Sequence, residues 1–177
     1  MPRIHITGAS GSGTTTLGAA LGAALAIPHD DTDDYFWTKT DPPYSVSRPI
    51  ADRLALMLPR FTTLPDWVLS GSTLLWGAPL DPLITHIVFL TLDPAIRMAR
   101  LRARETTRHG ARIAPGGDMY QGSQEFLSWA EAYDTSGPEQ RSRVLHEQWL
   151  ARQTVPILRL DSNAPVPALV AAVITGL

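Results

Sequence analysis

The chain reads Gly8-Ala9-Ser10-Gly11-Ser12-Gly13-Thr14-Thr15 directly after the short apolar run Arg3–Thr7, and an alanine- and leucine-rich run, Leu17–Leu25, follows. This order predicts a strand, a glycine-rich turn and a helix. The glycines let successive backbone N–H groups turn inward, and the positive end of the following helix adds partial charge. The segment therefore predicts an anion-binding loop of the pattern G-x-x-x-x-G-K-[ST], in which the final hydroxyl, here Thr15, ligates magnesium.

Thr14 departs from that pattern because it stands where the pattern has lysine. A hydrogen bond to a charged group is worth roughly 1.5–3 kcal/mol. Without compensation, the loss would cost roughly ten- to 150-fold in rate or affinity. The chain has one lysine, Lys39, and fourteen arginines. We expect that an arginine, or Lys39, supplies the missing charge, or that the protein binds nucleotide without transferring phosphate.

Composition favours a single domain that handles small molecules. At 177 residues, with 44% hydrophobic and 18% charged residues, the chain can bury one sizeable core, so we expect one domain over residues 1–177. A net charge of −2 gives no general attraction to nucleic acid. The absence of cysteine excludes thiolate catalysis and cysteine-ligated zinc. No apolar run approaches the roughly 20 residues of a membrane span, so the cytoplasm is the expected location, and the sequence carries no signal for oligomeric state.

Strand-like runs alternate with segments of helical composition, which predicts a parallel sheet covered by helices. The predicted strands are Arg3–Thr7, Ala26–His29, Trp67–Ser70, His86–Leu92 and Val155–Leu160. Asp93 is predicted to cap a helix from Pro94 to about Arg108. Glycine and proline cluster after it, which predicts a mobile lid over about 109–122. Further helices are predicted over Ser123–Tyr133, Pro138–Arg152 and Pro167–Ile174.

Four aspartates follow the second predicted strand within five residues, namely Asp30, Asp31, Asp33 and Asp34. The carboxyl ends of strands are where open α/β sheets bind ligands. Crowded carboxylates favour a magnesium ion or a substrate hydroxyl as partner, so one aspartate could accept a proton while another holds magnesium through water. The alternative is a solvated acidic turn with helix-capping aspartates. With a phosphate loop one strand away, we favour the functional interpretation.

Four arginines on the helix before the lid share one face, at spacings of three and four: Arg97, Arg100, Arg104 and Arg108. Guanidinium groups suit phosphate oxygens, so this face, or Arg102 or Arg112, could supply the charge that Thr14 lacks. The alternative is an exposed basic face paired with acidic neighbours.

The third predicted strand ends in Ser70-Gly71-Ser72 without an aspartate, so metal ligation is expected to rest on Thr15, water and the acidic cluster. Gly71 either lets the backbone approach a substrate or forms an ordinary turn. Nearby aromatic residues could stack on a substrate, although core or rim packing is the commoner use. The aromatic residues are Tyr35, Trp37 and Trp76. Two arginines in the same region, Arg48 and Arg53, either bind an anionic group of the acceptor or lie on the surface.

Together these residues resemble the small P-loop kinases of the adenylate, shikimate and gluconate kinase group, over nearly the whole chain. The likeness rests on Gly8–Thr15, Asp31-Thr32-Asp33, Ser70-Gly71-Ser72, the arginine-rich helix with its lid, and Asp161-Ser162-Asn163-Ala164-Pro165. The stretch 108–120 is similar to that of bacterial adenylate-kinase-like proteins. The resemblance implies a three-layer α/β/α fold whose five-stranded parallel sheet has the order 2-3-1-4-5. It also implies ATP as phosphate donor, magnesium, and lid arginines that close over the phosphates.

The resemblance also implies roles for individual residues. Asp31 would be the metal-proximal carboxylate, Asp33 the acceptor-binding or base carboxylate, and Asp161–Val166 the loop along the adenine. The predicted catalytic residues are Asp33, Asp31 and Arg104, and the predicted metal ligands are Thr15 and Asp31. The predicted nucleotide-binding residues are Gly8, Ser10, Gly11, Ser12, Gly13, Thr14, Thr15, Thr16, Arg100, Arg104, Asp161, Ala164 and Pro165. The predicted acceptor-binding residues are Asp33, Asp34, Trp37, Arg48, Gly71 and Ser72.

The leading hypothesis from the sequence is an ATP-dependent phosphotransferase that acts on a nucleoside, a nucleotide or a sugar- or shikimate-like alcohol. A second hypothesis is a catalytically weak or inactive nucleotide-binding or regulatory protein of the same fold, motivated by Thr14. A third is a protein that binds another phosphorylated ligand at the loop, such as a sulfated or monophosphorylated nucleotide.

Overall fold

A computed structural model describes residues 1–177 as five strands and seven helices. The strands are β1 Arg3–Gly8, β2 His29–Asp31, β3 Trp67–Ser70, β4 His86–Thr91 and β5 Ile157–Asp161. The helices are α1 Thr14–Leu25, α2 Thr32–Phe36, α3 Ile50–Thr63, α4 Pro94–His109, α5 Tyr120–Glu131, α6 Arg143–Leu150 and α7 Val166–Thr175. Short 3₁₀ turns lie at Ala78–Leu83, Gly110–Ile113 and Ala132–Asp134.

The sheet is parallel throughout and has the order β2-β3-β1-β4-β5, which confirms the predicted fold. Ile6 pairs with Ser70 on β3, and Gly8 pairs with Leu90 on β4. The carboxyl ends of the three central strands therefore meet at one edge of the sheet. The loop that follows β1 lies at that edge, where open α/β sheets bind ligands.

Two apolar cores cover the two faces of the sheet. Ile4, Ile6 and Val88 pack with Leu17 of α1 and Leu169 of α7 on one face. The neighbouring positions on the strands project to the other face, because side chains alternate along a strand. There the core includes Phe61, Trp67, Leu69, Phe89 and Trp149, from α3, β3, β4 and α6. Burial on both faces explains why β3 and β4 are continuous apolar runs.

The element boundaries differ from the prediction in two places that matter for the site. The second strand begins at His29 rather than Ala26, because Ala26 adopts a left-handed conformation (φ 55°) that ends α1. The helix predicted from Pro138 begins only at Arg143, because the Ser142 hydroxyl accepts a 3.1 Å hydrogen bond from the Leu145 N–H and caps the helix there. Residues 138–142 therefore form a turn that approaches the phosphate loop.

The helix that leads into the predicted lid is confirmed: α4 begins at Pro94, and Asp93 Oδ1 accepts hydrogen bonds from the N–H groups of Ala95 and Ile96. The segment 109–122 contains a 3₁₀ turn and the first residues of α5, which starts at Tyr120 instead of Ser123. None of the helices combines the length and apolar character needed to cross a membrane.

Candidate functional site

The loop between β1 and α1 presents its backbone to the edge of the sheet. Gly11 and Gly13 have positive φ angles of 84° and 89°, a conformation that side chains disfavour. Gly13 is the N-cap of α1, and no side chain accepts a hydrogen bond from the first turn of that helix. The N–H groups at the start of α1 are therefore left available to an anion, and the helix dipole favours negative charge there.

Arg97 supports the loop from inside the protein. It is 1% exposed, and its guanidinium donates to the carbonyl groups of Ser10 (3.2 Å) and Ala130 (2.9 Å) and pairs with Asp134 (3.0 Å). Within the arginine face that the sequence offers as a source of charge, Arg97 is therefore not free to take that role, because these partners use its guanidinium. It instead joins the loop at Ser10 to α5 at Ala130.

Three oxygen-bearing side chains meet just below the loop. Thr15 Oγ1 donates to Asp31 Oδ2 at 2.6 Å, and Ser70 Oγ donates to the same oxygen at 2.9 Å. The other oxygen, Asp31 Oδ1, accepts from the Asp33 N–H at 3.0 Å and caps α2. The structure thus brings together the two predicted metal ligands, Thr15 and Asp31. Ser70 joins them at the end of β3, the strand that lacks an aspartate at that position.

This donor set fits magnesium, which prefers oxygen ligands and is commonly held by one or two carboxylates with substrate phosphates and water. Thr15, Asp31 and Ser70 supply hydroxyl and carboxylate oxygens only. No group of three or more histidines, cysteines or acidic residues is placed to hold a metal ion. A magnesium ion here would complete its coordination with water and phosphate oxygens.

The four aspartates do not form one site, contrary to the simplest form of the expectation. Asp30 pairs with Arg60 of α3 at 2.8 Å and accepts a hydrogen bond from the Tyr35 hydroxyl at 2.8 Å. Asp30 therefore ties α2 to α3. Asp34 is exposed on α2. Asp31, which accepts from Thr15 and Ser70, and Asp33 therefore remain the candidate site aspartates.

The environment of Asp33 raises the pKa of its carboxyl. The largest cause is desolvation by the surrounding protein, although the side chain retains access to water, and the Asp31 carboxylate adds to the increase. The guanidinium groups of Arg141 and Arg104 act in the opposite direction. A carboxylate with a raised pKa is a stronger base, which suits proton transfer. Arg104 also pairs with Glu105 at 3.1 Å, so its charge is partly neutralised.

The remaining arginines of the α4 face have separate partners. Arg100 donates to the Ser162 carbonyl (3.1 Å) and contacts Asn163 Oδ1 (3.4 Å), which joins α4 to the loop after β5 that contains Asp161, Ala164 and Pro165. Arg108 is exposed. Arg112, beyond the helix, pairs with Asp118 (2.6 Å) and with Asp41 (2.7 Å) in the loop between α2 and α3. The predicted basic face is therefore divided among different contacts.

Gly71 has a φ of 105°, and a Cβ at this position would lie 1.9 Å from Thr32 Oγ1. The glycine is thus required for the close approach of the β3 turn to α2, which favours the turn interpretation over approach to a substrate. The Ser72 hydroxyl accepts a 3.4 Å hydrogen bond from the Leu74 N–H in the same turn.

Trp76 belongs to the buried core, as the packing interpretation expects. Trp37 is partly buried and meets Phe36 and Tyr44 edge-on.

Two arginines lie beside the end of α2 without an acidic partner. Arg48 donates to the carbonyl groups of Tyr35 and Asp34. Arg53 is buried, lies 3.7 Å from the centroid of the Phe36 ring, and donates to the Arg48 carbonyl at 2.6 Å. Neither forms an ion pair. The half-buried Arg48 can therefore attract an anionic group that approaches α2, whereas Arg53 is buried against Phe36.

Arg141 contacts the glycine loop, although no sequence pattern points to it. Its Nη2 donates a 2.6 Å hydrogen bond to the carbonyl of Gly8, the residue that begins the phosphate loop. The two residues are 133 positions apart, so no spacing pattern connects them. Only the search for a cation to replace the loop lysine could have pointed to this residue, and that search favoured α4 because its arginines share a face.

Two buried histidines lie under the same edge of the sheet. His146 joins Thr7 Oγ1 (3.0 Å) to the Tyr133 hydroxyl (2.9 Å), and His5 contacts the Gly71 carbonyl at 3.2 Å. Burial, with a smaller contribution from the nearby Arg141 charge, lowers the pKa of His5 to about 4 and that of His146 to about 3. Both imidazoles are neutral at pH 7, so they add no positive charge to the site.

Comparison with known proteins identifies a relative and a fold. The chain is 42% identical over 163 residues, covering 92% of this chain and 90% of the other, to the uncharacterized protein YqaC of Bacillus subtilis (strain 168). No protein-family model matches the chain. Among solved structures it is similar to a gluconokinase from Sinorhizobium meliloti 1021, with a TM-score of 0.55 and 17% identity over 99% of this chain and 90% of that one.

Two further kinase structures share the fold. A shikimate kinase from Bacteroides thetaiotaomicron has a TM-score of 0.52 and 18% identity, with 99% of both chains covered. A sugar kinase from Janibacter sp. HTCC2649 has a TM-score of 0.51 and 11% identity, with 99% of this chain and 93% of that one covered. At such identities the likeness concerns the fold, which is that of the P-loop kinases.

Proposed function

Since the chain belongs to the same family as YqaC of Bacillus subtilis and has a P-loop kinase fold, we propose that it is an ATP-dependent phosphotransferase for a small metabolite. The observation that carries the proposal is the convergence of Thr15 and Ser70 on Asp31 directly beneath the glycine loop. Hydroxyl and carboxylate oxygens at this position are the ligands that a phosphate-bound magnesium ion requires. A glycine-rich turn without such a function would not need them.

In the proposed reaction, the N–H groups at the start of α1 bind the triphosphate of ATP, and the loop after β5 lies along the adenine. Thr15 and Asp31 would hold magnesium, which when bound neutralises charge on the phosphate oxygens. The transfer joins an acceptor hydroxyl oxygen to the γ-phosphorus as the bond to the β-phosphate oxygen breaks, and ADP leaves. Asp33 accepts the proton of that hydroxyl, a role that its raised pKa favours.

The acceptor side of the proposal rests on α2 and the loop that follows it. The unpaired guanidinium of Arg48, with the buried charge of Arg53 nearby, would attract an anionic substituent on the acceptor, and Asp34 and Trp37 lie on and just after α2. The acceptor class that fits these residues is a hydroxyl compound that also carries a carboxylate or a phosphate. Nucleotides, sugar phosphates and shikimate-like acids all meet this description.

The direct test measures ADP release with magnesium, ATP and a panel of nucleosides, nucleotides, sugars, sugar phosphates and shikimate-like alcohols. Acceptor-dependent ADP release should fall roughly a hundred-fold or more in Asp33→Asn, the range that removal of a general base produces. Asp52→Asn is the matched control, because Asp52 is exposed on α3 and lies outside the proposed site. Unchanged turnover in Asp33→Asn would remove Asp33 from the mechanism.

A second candidate function is nucleotide binding without phosphoryl transfer, and the specific observation that favours it is Thr14. The loop itself offers no side-chain cation to the phosphates. Calorimetric titration with ATP and magnesium separates the two candidates. Tight binding with no turnover on any acceptor would establish the binding protein, whereas acceptor-dependent turnover would establish the phosphotransferase.

A further inference from the structure

We propose that Arg141 supplies, from the turn before α6, the positive charge that Thr14 does not supply in the loop, by contacting the terminal phosphates of a bound nucleoside triphosphate. This inference rests on the proposed function, because it requires a nucleotide in the loop. It goes beyond that function by assigning the missing cation to a residue that lies far from the loop in sequence.

The position of Arg141 carries the first part of the argument. On one side its guanidinium donates to the carbonyl of Gly8, at the junction of β1 and the phosphate loop. Its charge also acts on the Asp33 and Asp31 carboxylates, so these groups lie within electrostatic range of it. Arg141 therefore contacts the loop that would hold the donor and is near enough to influence the aspartate that would meet the acceptor.

The second part of the argument is that most hydrogen-bond donors of Arg141 have no partner. A guanidinium has five N–H donors, yet the structure gives Arg141 one hydrogen bond and no ion pair. Its Nε is buried and has no hydrogen-bond partner. Arg141 is partly withdrawn from water, and a positive charge in such a position is costly without a counter-ion, so such groups are normally paired. The phosphate oxygens of a nucleotide would satisfy both the charge and the free donors.

The other basic residues considered as replacements for the loop lysine do not combine a position beside the glycine loop with unpaired donors. Arg97 is fully used by Ser10, Ala130 and Asp134. Arg112 is paired with Asp118 and Asp41. Of the remaining α4 arginines, Arg104 pairs with Glu105, Arg102 pairs with Glu131, Arg100 contacts the loop after β5, and Arg108 is exposed. Lys39 is exposed in the loop after α2.

The contacts around Arg141 also hold its guanidinium in an orientation that suits phosphate binding. The Gly8 carbonyl holds one edge of the guanidinium, and its central carbon, Cζ, lies 5.8 Å from the centroid of the Trp129 ring. A planar fork held in this way can present two parallel N–H donors to phosphate oxygens. Little side-chain freedom is left to lose when a nucleotide binds, which favours affinity.

The test measures the affinity of the whole protein for ATP and magnesium, and for ADP, by calorimetry without any acceptor. In Arg141→Gln the affinity for ATP should fall roughly ten- to 150-fold, the fold-change expected for a hydrogen bond to a charged group. The affinity for ADP should fall less, because the terminal phosphate is missing. Arg152→Gln removes an exposed arginine from the opposite end of the same helical segment and should leave both affinities unchanged.

A structural role is separated from phosphate binding by measuring thermal unfolding without nucleotide. Because Arg141 is an unpaired charge in the absence of ligand, Arg141→Gln should keep or raise the unfolding temperature while losing affinity for ATP. Adding Thr14→Lys to Arg141→Gln restores a cation at the usual position of the loop, and recovery of ATP affinity would support the assignment. Should Arg141→Gln fail to fold, Arg141→Lys keeps the charge without the fork and should bind ATP with an intermediate loss.

Wild-type affinity for ATP in a folded Arg141 variant would overturn the inference and leave the proposed function intact. A lower unfolding temperature with equal losses for ATP, ADP and adenosine would also overturn it, because that pattern indicates a structural role. Absence of nucleotide binding to the wild-type protein would overturn the proposed function itself, so the two failures are distinguishable.

Discussion

The Thr15 hydroxyl donates a 2.6 Å hydrogen bond to Oδ2 of Asp31, which joins the first turn of α1 to the end of β2. We predict that Asp31→Asn lowers the affinity for ATP roughly ten-fold or more in the presence of magnesium, because the proposed metal site loses its carboxylate. Asparagine is also a good N-cap, so α2 should keep its start. Calorimetry with and without magnesium checks this, and an identical magnesium dependence in the variant would contradict it.

Arg97 provides a prediction about stability. Arg97→Met should lower the free energy of unfolding by about 2 kcal/mol or more, because the carbonyl groups of Ser10 and Ala130 lose this donor and Asp134 keeps only its pair with Arg143. Urea denaturation measures the change. Arg102→Met is the control on the same helix, since Arg102 forms only an exposed pair with Glu131 and should cost less than about 1 kcal/mol. Equal effects in the two variants would show that the Arg97 contacts are weak.

The turn after β3 gives a prediction for a single methyl group. Gly71→Ala should destabilise the protein by about 2 kcal/mol or more, since φ is 105° and the new Cβ would meet Thr32 Oγ1. The control is Gly122→Ala, because Gly122 lies in α5 with nothing near the new methyl group. That control should be neutral or stabilising by up to about 1 kcal/mol. Thermal unfolding of the two variants makes the comparison, and a neutral Gly71→Ala would refute the prediction.

The lowered pKa values of the buried histidines predict that the folded protein loses stability in acid. The pKa values of His5 and His146 are about 4 and about 3 in the folded protein, below the ordinary value of 6.5. The unfolded chain therefore binds protons first as the pH falls, and folding stability is lost from about pH 6.5 down to about pH 4 for His5 and about pH 3 for His146. With both groups contributing, the slope approaches roughly 2–3 kcal/mol per pH unit below pH 6.

Urea denaturation at pH 7, 6 and 5 measures this slope. Glu147 and Asp118 have pKa values lowered by hydrogen bonds from Arg159 and Arg112, so their contributions are lost only at lower pH. His146→Gln removes one titrating group and should lower the slope by about 1.4 kcal/mol per pH unit, while His29, whose pKa burial also lowers, keeps its contribution. A stability that stays constant from pH 7 to pH 5 would contradict the neutral state of these imidazoles.

Local sequence patterns were enough to predict most of the fold. The apolar runs of β1, β3 and β4 and the Asp93-Pro94 start of α4 are signals contained within a few residues. The second strand was placed too early because its sequence, His29-Asp30-Asp31, has no apolar pattern and α1 ends on an alanine rather than a glycine. Proline at 138 suggested a helix start that the Ser142 cap moved to Arg143.

The candidate site was predictable only where neighbouring residues define it. Thr15 and Asp31 follow directly from the loop and from the strand next to it. The partners of Arg97 and Arg141 depend on tertiary packing across more than 30 residues in one case and 133 in the other. Helical spacing placed Arg97 on a face with Arg104, but it carried no information about Asp134, which is the partner that Arg97 meets in the folded chain.

Thr14 leaves the phosphate loop without a side-chain amine, and Lys39, the chain's one lysine, is exposed in the loop after α2. Acetylation and other acylations act on amino groups, and they remove the positive charge of the lysine that they modify. A nucleotide site that depends on a lysine in its loop can be silenced in this way. The loop of this protein presents no such target, so lysine-directed modification can change the region around residue 39 but cannot block the loop itself.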